Sequence, residues 1–344
     1  INVSGKINYR TSLRIVPMRG LVAPDVSDAL ADRIDALAAR IKRDEPALAT
    51  PWIFSDRVRS GLGPGPAQII ANNYDIALLE RRGDLRLEYR MAMLGEPGDA
   101  FAVRGSRNQA FEQYRGSVLG LGALDVFELA PAHPGGPVSF EQYQPHLAPL
   151  IERVREHPSD GRHLNLMPYI GTGRIWKLAA QIADQFQIDV LVAAPPPRLT
   201  RRTNDKLWFA ACVEQLFGPT AIPPMRAAYG PAALTGLVRS FARRFAQVVV
   251  KVPDSAGSAG NFKLRSQHVL AQSPDQTRTT LLQVLRSFGW HDRYPLMVEV
   301  WDAHVLSSPS VQIWVPDGAD GPPVIEGLFD QILEHSADNA QVFS

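Results

Sequence analysis

The residues best placed to do chemistry lie together in the run VVVKVPDSAGSAGNFKL, from Val248 to Leu264. Val248, Val249 and Val250 read as a buried strand, because β-branched side chains suit a packed, pleated surface. Lys251 ends that strand, and a buried ammonium without an anion is costly. The loop Ser255-Ala256-Gly257-Ser258-Ala259-Gly260 supplies backbone N–H groups, hydroxyls and no bulk. Such a nest can wrap phosphate oxygens. A strand lysine beside it suggests a nucleotide whose phosphates the lysine also reaches. The plainer reading is a lysine that reaches water from a strand end and a Gly/Ser hairpin turn. Two common nucleotide motifs are excluded. The chain contains no Gly-x4-Gly-Lys-[Ser/Thr] string. In a protein kinase the glycine loop precedes the lysine strand, whereas here the lysine comes first.

Other reactive residues point elsewhere. Eight histidines are scattered along the chain. The closest pair, His157 and His163, has a spacing that suits no helical metal face. Glu141, Gln144 and His146 read as a solvated helix start. The single cysteine, Cys212, allows no intramolecular disulfide and sits among apolar residues in KLWFAACVEQLF, so it reads as core packing. Asp330 and Gln331 are either site residues or surface polars. Trp176, Trp208, Trp290 and Trp314 read as core.

The elements that must position these residues fall into two patterns. Up to Pro197, strands alternate with helices. Strands are expected at Leu13–Val16, Phe101–Val103, Val126–Leu129 and Ile188–Ala193, with a hairpin of Ile69–Leu79 and Leu85–Met93 through Arg82-Gly83-Asp84. Helices are expected after an Asp25 cap, at Gln109–Leu119, across Leu147 to Val154, and after Thr172. Gly61 to Gln68 is a turn, Pro131 to Pro145 a joint, and Pro195-Pro196-Pro197 a stiff break. The alternation predicts an α/β domain with a largely parallel sheet. Beyond Pro197, a helix capped by Asn204 or Asp205 stops at Gly218. A second spans Pro231 to Phe245, with Arg239, Arg243 and Arg244 on a solvated face, and a third runs from Gln276 to Phe288. Strands follow at Leu296–Trp301 and Val311–Val315.

Bulk properties bound the function. With 45% hydrophobic and 21% charged residues, the chain can build a sizeable core. A formal net charge of +1 gives no electrostatic case for a nucleic-acid or anionic-membrane partner. No apolar run approaches the ~18 residues of a membrane span. No signal peptide opens the sequence, which starts at Ile1.

In order along the chain, NDK ending at Lys206, VVVKVPDSAGSAGN with Lys251, LMVEVWD with Glu299 to Asp302, and SPSVQIWV resemble the ATP-grasp superfamily. The strings YRMAMLGEPGDAFAV, QYRGSVLGLG and LMPYIGTGRIWKLAAQIA resemble the pre-ATP-grasp domain of natural-product peptide ligases of the pheganomycin type and of butirosin-type carrier-protein ligases. The resemblance implies a pre-ATP-grasp α/β domain over 1–197 and an ATP-grasp region over 198–344. A lid would span about 230–300, and the start of a catalytic core 301–344. It implies that ATP is held by Lys206, Lys251, the loop residues Ser255, Gly257, Ser258, Gly260 and Asn261, and the hinge Glu299, Val300, Trp301 and Asp302, with Trp301 against adenine. It implies Mg2+, a small carboxylic or amino acid, and an amine or peptide acceptor. The expected chemistry is an acyl phosphate, then an amide, in a cytoplasmic protein compatible with a homodimer. Transfer to a carrier-protein thiol and a non-catalytic nucleotide-binding module stay open. Ser308-Pro309-Ser310 stands where several relatives place a ribose-binding glutamate. The family's magnesium ligands have no place before Ser344, so the sequence reads as truncated or interrupted, or as non-catalytic.

Overall fold

Short apolar runs set between glycine and proline build the first half. The computed structural model describes residues 26–48, 55–78, 88–129, 139–158, 162–256, 259–302, 307–316, 321–330, 333–335 and 341–343. The expected strand at Leu13–Val16, the Asp25 cap, most of the Pro131–Pro145 joint, Gly257, Ser258 and Gln331 lie outside the described residues. After helix α1 (Asp28–Asp44) come β1 (Val58–Ser60), β2 (Ala67–Ile70), the short α2 (Tyr89–Ala92), β3 (Ala100–Val103), α3 (Gln109–Gln113) and β4 (Asp125–Glu128). Then follow α4 (Phe140–Glu156), β5 (His163–Pro168), α5 (Gly173–Phe186) and β6 (Asp189–Val192). The six strands form one parallel sheet in the order β1-β6-β5-β2-β3-β4.

Both faces of that sheet are covered, which is why β2 and β3 are buried along their whole length. Ile70, Ala102, Leu164 and Leu166 face α4 and α5, whose Leu147, Ile151, Ile175, Trp176 and Ile182 complete that core. Their neighbours Ile69, Phe101, Val103 and Met167 face the other way, onto Tyr89, Met91 and Phe111. The period of two is the pleat itself.

Four expectations are corrected in this half. The hairpin of Ile69–Leu79 with Leu85–Met93 does not form. β2 is flanked by β5 and β3 and has no free edge for a hairpin partner. It stops where the Asn72 side chain captures Ile170, donating to its carbonyl at 2.8 Å and accepting from its N–H at 3.1 Å. Tyr89 to Ala92 is a short helix instead. Pro145 does not belong to a joint, because α4 runs through it and Pro149. Each internal proline costs roughly 3 kcal/mol, and five buried side chains from Tyr143 to Val154 offset that. Pro195 to Pro197 is a helix entry, with Pro197 opening α6 (Pro197–Thr203), a position where its missing N–H is no loss. Finally, His146 stacks on Phe127 at 4.3 Å between ring centres and is part of the packing.

The turn expected from Gly61 to Gln68 extends only to Pro66, because Ala67 and Gln68 already belong to β2. Asn165 clamps it, accepting from the Gly63 N–H at 2.9 Å and donating to the Gly65 carbonyl at 2.6 Å. A Cβ at Gly63 would fall 2.7 Å from His163 Cε1 and nearer still to Nε2, so the close approach requires glycine.

Among the described residues, Arg115 is the largest fully buried side chain. It donates to the carbonyls of Ala92 at 2.7 Å, Gly122 at 2.5 Å, and Gly95. Burial pushes its guanidinium below the ordinary arginine value. Arg115→Met removes a donor from three carbonyls at once, two of them buried. The expected loss is about 2 kcal/mol of stability, net of the relieved charge, read as a lower urea midpoint with an unchanged slope.

The second half changes architecture. After α6 and α7 (Lys206–Phe217) come β7 (Met225–Ala228), α8 (Pro231–Ala242), β8 (Gln247–Lys251), β9 (Asn261–Arg265), α9 (Ser266–Ala271), α10 (Pro274–Ser287) and β10 (Leu296–Val300). The four strands form an antiparallel sheet, β7-β10-β8-β9. α8 and α10 cover one of its faces. Arg239 does not face water as expected. Its Nη1 donates to the carbonyls of Val269 and Gln272 at 3.0 and 2.6 Å and ties α9 and α10 to α8. Cys212 is half-buried, on a helix that buries none of its residues fully, and burial pushes its thiol up. Trp176 and Trp290 are buried, whereas Trp208 and Trp314 are half-buried. β11 (Pro309–Trp314) pairs with β12 (Val324–Asp330) in a hairpin, and Asp330 is exposed on it.

Candidate functional site

Strand register decides which way each side chain of the antiparallel sheet points. Val248, Val250, Val298, Leu296 and Phe262 pack into the core under α8 and α10. Residues one step away must point to the opposite face. One cross-strand row there is Met297, Lys251 and Asn261. The next row is Glu299, Val249 and Lys263. Trp301 follows two residues after Glu299, and its ring lies under the Lys263 ammonium at 4.8 Å. A cation over an indole face is attractive, so Lys263 fixes the Trp301 ring. Lys263 was not singled out from the sequence, although the alternation of NFKLR carries that face.

Lys251 has an anion after all. Its Nζ lies 2.6 Å from Glu299 Oε2, and the two side chains are only 20% and 9% exposed. That oxygen accepts no directed hydrogen bond, so the contact is a close ion pair of non-ideal angle. A carboxylate held this way leaves room for a second, better-aligned anion at the lysine.

Lys206 comes to the same place from another element. Asp205 caps α7, accepting from the N–H groups of Leu207 and Trp208, and Lys206 occupies the first helical position. Its Nζ donates to the carbonyl of Pro253 at 3.1 Å and to that of Ser255. Its ammonium is held below the ordinary lysine value, first by burial and then by the charge of Lys251. Two lysines converge near a helix N-terminus, where the dipole also favours negative charge. An anion between them would relieve both penalties.

The described residues that enter and leave the loop between β8 and β9 are held close together. Ser255 is buried, and both its hydroxyl and its N–H donate to the Val252 carbonyl, at 2.8 and 3.2 Å. The Ser255 hydroxyl is therefore engaged inside the turn. Val252 N–H donates to the Gly260 carbonyl at 2.9 Å. The loop also touches the first half, through a bridge between Ala77 and Ser255.

At the hinge, the N–H groups of Val300 and Trp301 donate to the carbonyls of Pro224 and Gln247, each at 3.2 Å.

A cleft of about 390 Å3 opens beside the loop. It lies beyond the carboxyl ends of β5 and β6, with Ile76 after β2, Asn204 after α6, and Ala256 from the loop in its walls. In the sheet order, β2 connects onward to its right and β5 to its left. The crevice between them is the topological switch point, where open α/β sheets take their ligands. The Gly-Thr-Gly-Arg turn is the entry to α5, as expected, and Gly171 also lines the cleft. Asp75 holds this turn, accepting from Thr172 Oγ1 at 2.8 Å and from Arg174 Nη1 at 2.9 Å.

Among the described residues no group of three or more His, Cys, Asp or Glu could hold a metal ion. His157 and His163 belong to no such group. Among the same residues no helix is long and apolar enough to cross a membrane.

Residues 88–183 match the family model described as the Pre ATP-grasp domain. All three strings that carried the first-half resemblance fall inside that range. No curated protein matches the chain. D-alanyl-alanine synthetase A from Vibrio cholerae superposes with a TM-score of 0.38 at 11% identity, over 71% of this chain and 69% of that one. Carboxyaminoimidazole ribonucleotide synthase from Aspergillus clavatus, complexed with ATP, gives 0.36 at 16% identity, over 71% of this chain and 56% of that one. D-cycloserine synthetase gives 0.36 at 11% identity, over 77% and 67%. TM-scores this low leave the functional case to the residues of this chain.

Proposed function

We propose that the chain is an ATP-dependent ligase that joins a carboxylate to an amine through an acyl phosphate, releasing ADP and phosphate. In this reading residues 1–197 are the pre-ATP-grasp domain and 198–344 the ATP-grasp region. One observation carries it. Lys206 and Lys251, from different elements, converge on the loop between β8 and β9, on the sheet face opposite α8 and α10. Point charges from two lysines match the triphosphate of ATP. Lys263 and Trp301 sit on the same face and offer a stacking surface for the base. The cleft at the switch point abuts the loop through Ala256, which brings a second substrate next to the γ-phosphate.

Each group has a task. The lysines stabilise charge that moves onto the leaving ADP, the largest kind of contribution to phosphoryl transfer. The loop excludes water from the acyl phosphate. Mg2+ would accompany the ATP, but no described acidic cluster fits it. No step is therefore assigned to a metal ligand of this chain. Gly257, Ser258 and Asp302 complete the proposed nucleotide contacts, and the product class is an amide of specialised metabolism.

The test supplies ATP, Mg2+, hydroxylamine and a panel of small carboxylic and amino acids. Acid-dependent ADP and hydroxamate are the expected products. AMP and pyrophosphate in their place would overturn the acyl-phosphate route, and ATP binding without turnover would favour a regulatory nucleotide-binding module.

A further inference from the structure

The helices that cover the antiparallel sheet carry a group of arginines that the nucleotide site does not use. A cavity of about 340 Å3 opens between α8 and α10. It lies on the side of the sheet away from Lys251. Arg239 and Arg243 reach it from the end of α8, and Asp275 and Arg278 from the start of α10. Between them the wall is small, with Ala232, Gly236 and Pro274. A Cβ at Gly236 would meet nothing within 4 Å, so that side stays open.

The three guanidiniums are held in different ways. Arg239 is set in place by one nitrogen. Its Nη1 donates to the carbonyls of Val269 and Gln272 at 3.0 and 2.6 Å and to Thr277 Oγ1 at 3.1 Å. Its Nε and Nη2 donate to no described residue, and neither is sealed from solvent. That edge is the fork that pairs with two oxygens of one anion. Arg243 stands one helical turn on, is exposed, and its side chain pairs with no described residue. Like charges four residues apart on a helix repel. Arg278 lies 3.2 Å from Asp275, whose side chain is 88% exposed, and such surface pairs contribute little. The helix dipole accounts for Arg243 at a carboxyl end, but not for Arg278 near the amino end of α10. Three guanidiniums against one carboxylate leave two positive charges uncompensated.

We infer that this cavity binds a phosphate dianion, either free or carried on a small uncharged body. The free edge of Arg239 supplies a bidentate contact, and Arg243 and Arg278 supply the charge. The amino end of α10, a helix of 14 residues, adds a favourable dipole. A carboxylate would leave one of the two charges uncompensated. The sheet separates this site from the proposed nucleotide site, so the inference does not rest on the ligase reading. Arg239 already ties α9 and α10 to α8. A phosphate bridging Arg239 to Arg278 adds a second tie, and a ligand of the folded state raises the melting temperature.

The probes are inorganic phosphate, glycerol 2-phosphate and acetate. Each is titrated calorimetrically at about pH 8, above the second ionisation of a phosphate monoester at roughly 6. The proteins are the wild type, Arg243→Glu, Arg278→Ala and Lys206→Ala. Arg243 is exposed, and an unchanged melting temperature without ligand verifies that Arg243→Glu folds. Both phosphates are expected to bind the wild type and to raise its melting temperature, with acetate at least about tenfold weaker. Arg278→Ala should weaken phosphate about tenfold, Arg243→Glu by more, and Lys206→Ala not at all. Glycerol 2-phosphate binding at least as tightly as inorganic phosphate identifies an organic phosphate as the source, and the reverse order the free ion. No phosphate binding to the wild type, acetate binding as tightly, or binding untouched by Arg243→Glu would each overturn the site. Binding lost in Lys206→Ala but kept in Arg243→Glu would move it to the nucleotide site and overturn it as well. ATP titrated into Arg243→Glu should bind as in the wild type, and an equal loss of ATP would show that the arginines form no separate site.

Discussion

Lys251→Met is expected to lower unfolding free energy by about 3 kcal/mol and to abolish detectable ATP binding. Removing the ammonium leaves the Glu299 carboxylate buried without its counter-ion, and breaking such a pair costs more than the pair itself contributes. The two side chains are 20% and 9% exposed, so water compensates little. The double variant Lys251→Met/Glu299→Leu should recover most of the stability, since an apolar pair replaces a buried ionic one. It should not recover nucleotide binding. Urea denaturation and ATP calorimetry on the three proteins separate the two effects. Retained ATP affinity in Lys251→Met would remove this lysine from the nucleotide site. Unchanged stability would mean that Glu299 is more hydrated than its burial indicates.

The second large effect is expected at Gly260. A Cβ there would lie 2.6 Å from the Ser255 Cβ and 3.0 Å from the Val252 Cβ. Both neighbours are buried, and the Gly260 carbonyl accepts from Val252, so the backbone cannot withdraw without losing that bond. Gly260→Ala should therefore cost about 2 kcal/mol, a typical overpacking penalty. It should also weaken ATP about tenfold, equivalent to roughly 1.4 kcal/mol, by displacing the loop. Ser255→Gly removes the nearest of the obstructing atoms. Added to Gly260→Ala, it should restore much of the melting temperature. A single variant that melts like the wild type would show that the turn is looser than its contacts indicate.

Much of this site was legible in the sequence, for physical reasons. VVVK followed by small residues can hardly be anything but a strand running into a tight turn. NFKLR alternates strictly, so its polar residues had to share a face. Asn204 and Asp205 are both good N-cap residues, which placed Lys206 within the first turn of a helix, and the structure uses Asp205. The strings within the family-matched range 88–183 carried the resemblance of the first half.

What escaped the sequence depended on long-range neighbours. Nothing local to Ile69–Leu79 reveals that β2 is central, with strands on both sides. Arg239 looked solvated because its carbonyl partners lie at Val269 and Gln272, some thirty residues away along the chain. The Lys251–Glu299 contact needs the β8–β10 register. The hinge N–H groups of Val300 and Trp301 are taken by strand neighbours that one segment alone does not disclose.

The tether between Lys206 and the carbonyls of Pro253 and Ser255, together with the Ala77–Ser255 bridge, gives the resting protein a latched entrance. On the proposed reading an arriving polyphosphate does not fall into a vacant cradle but trades places with the main-chain oxygens that already hold the ammonium, so that nucleotide capture is a substitution at Lys206.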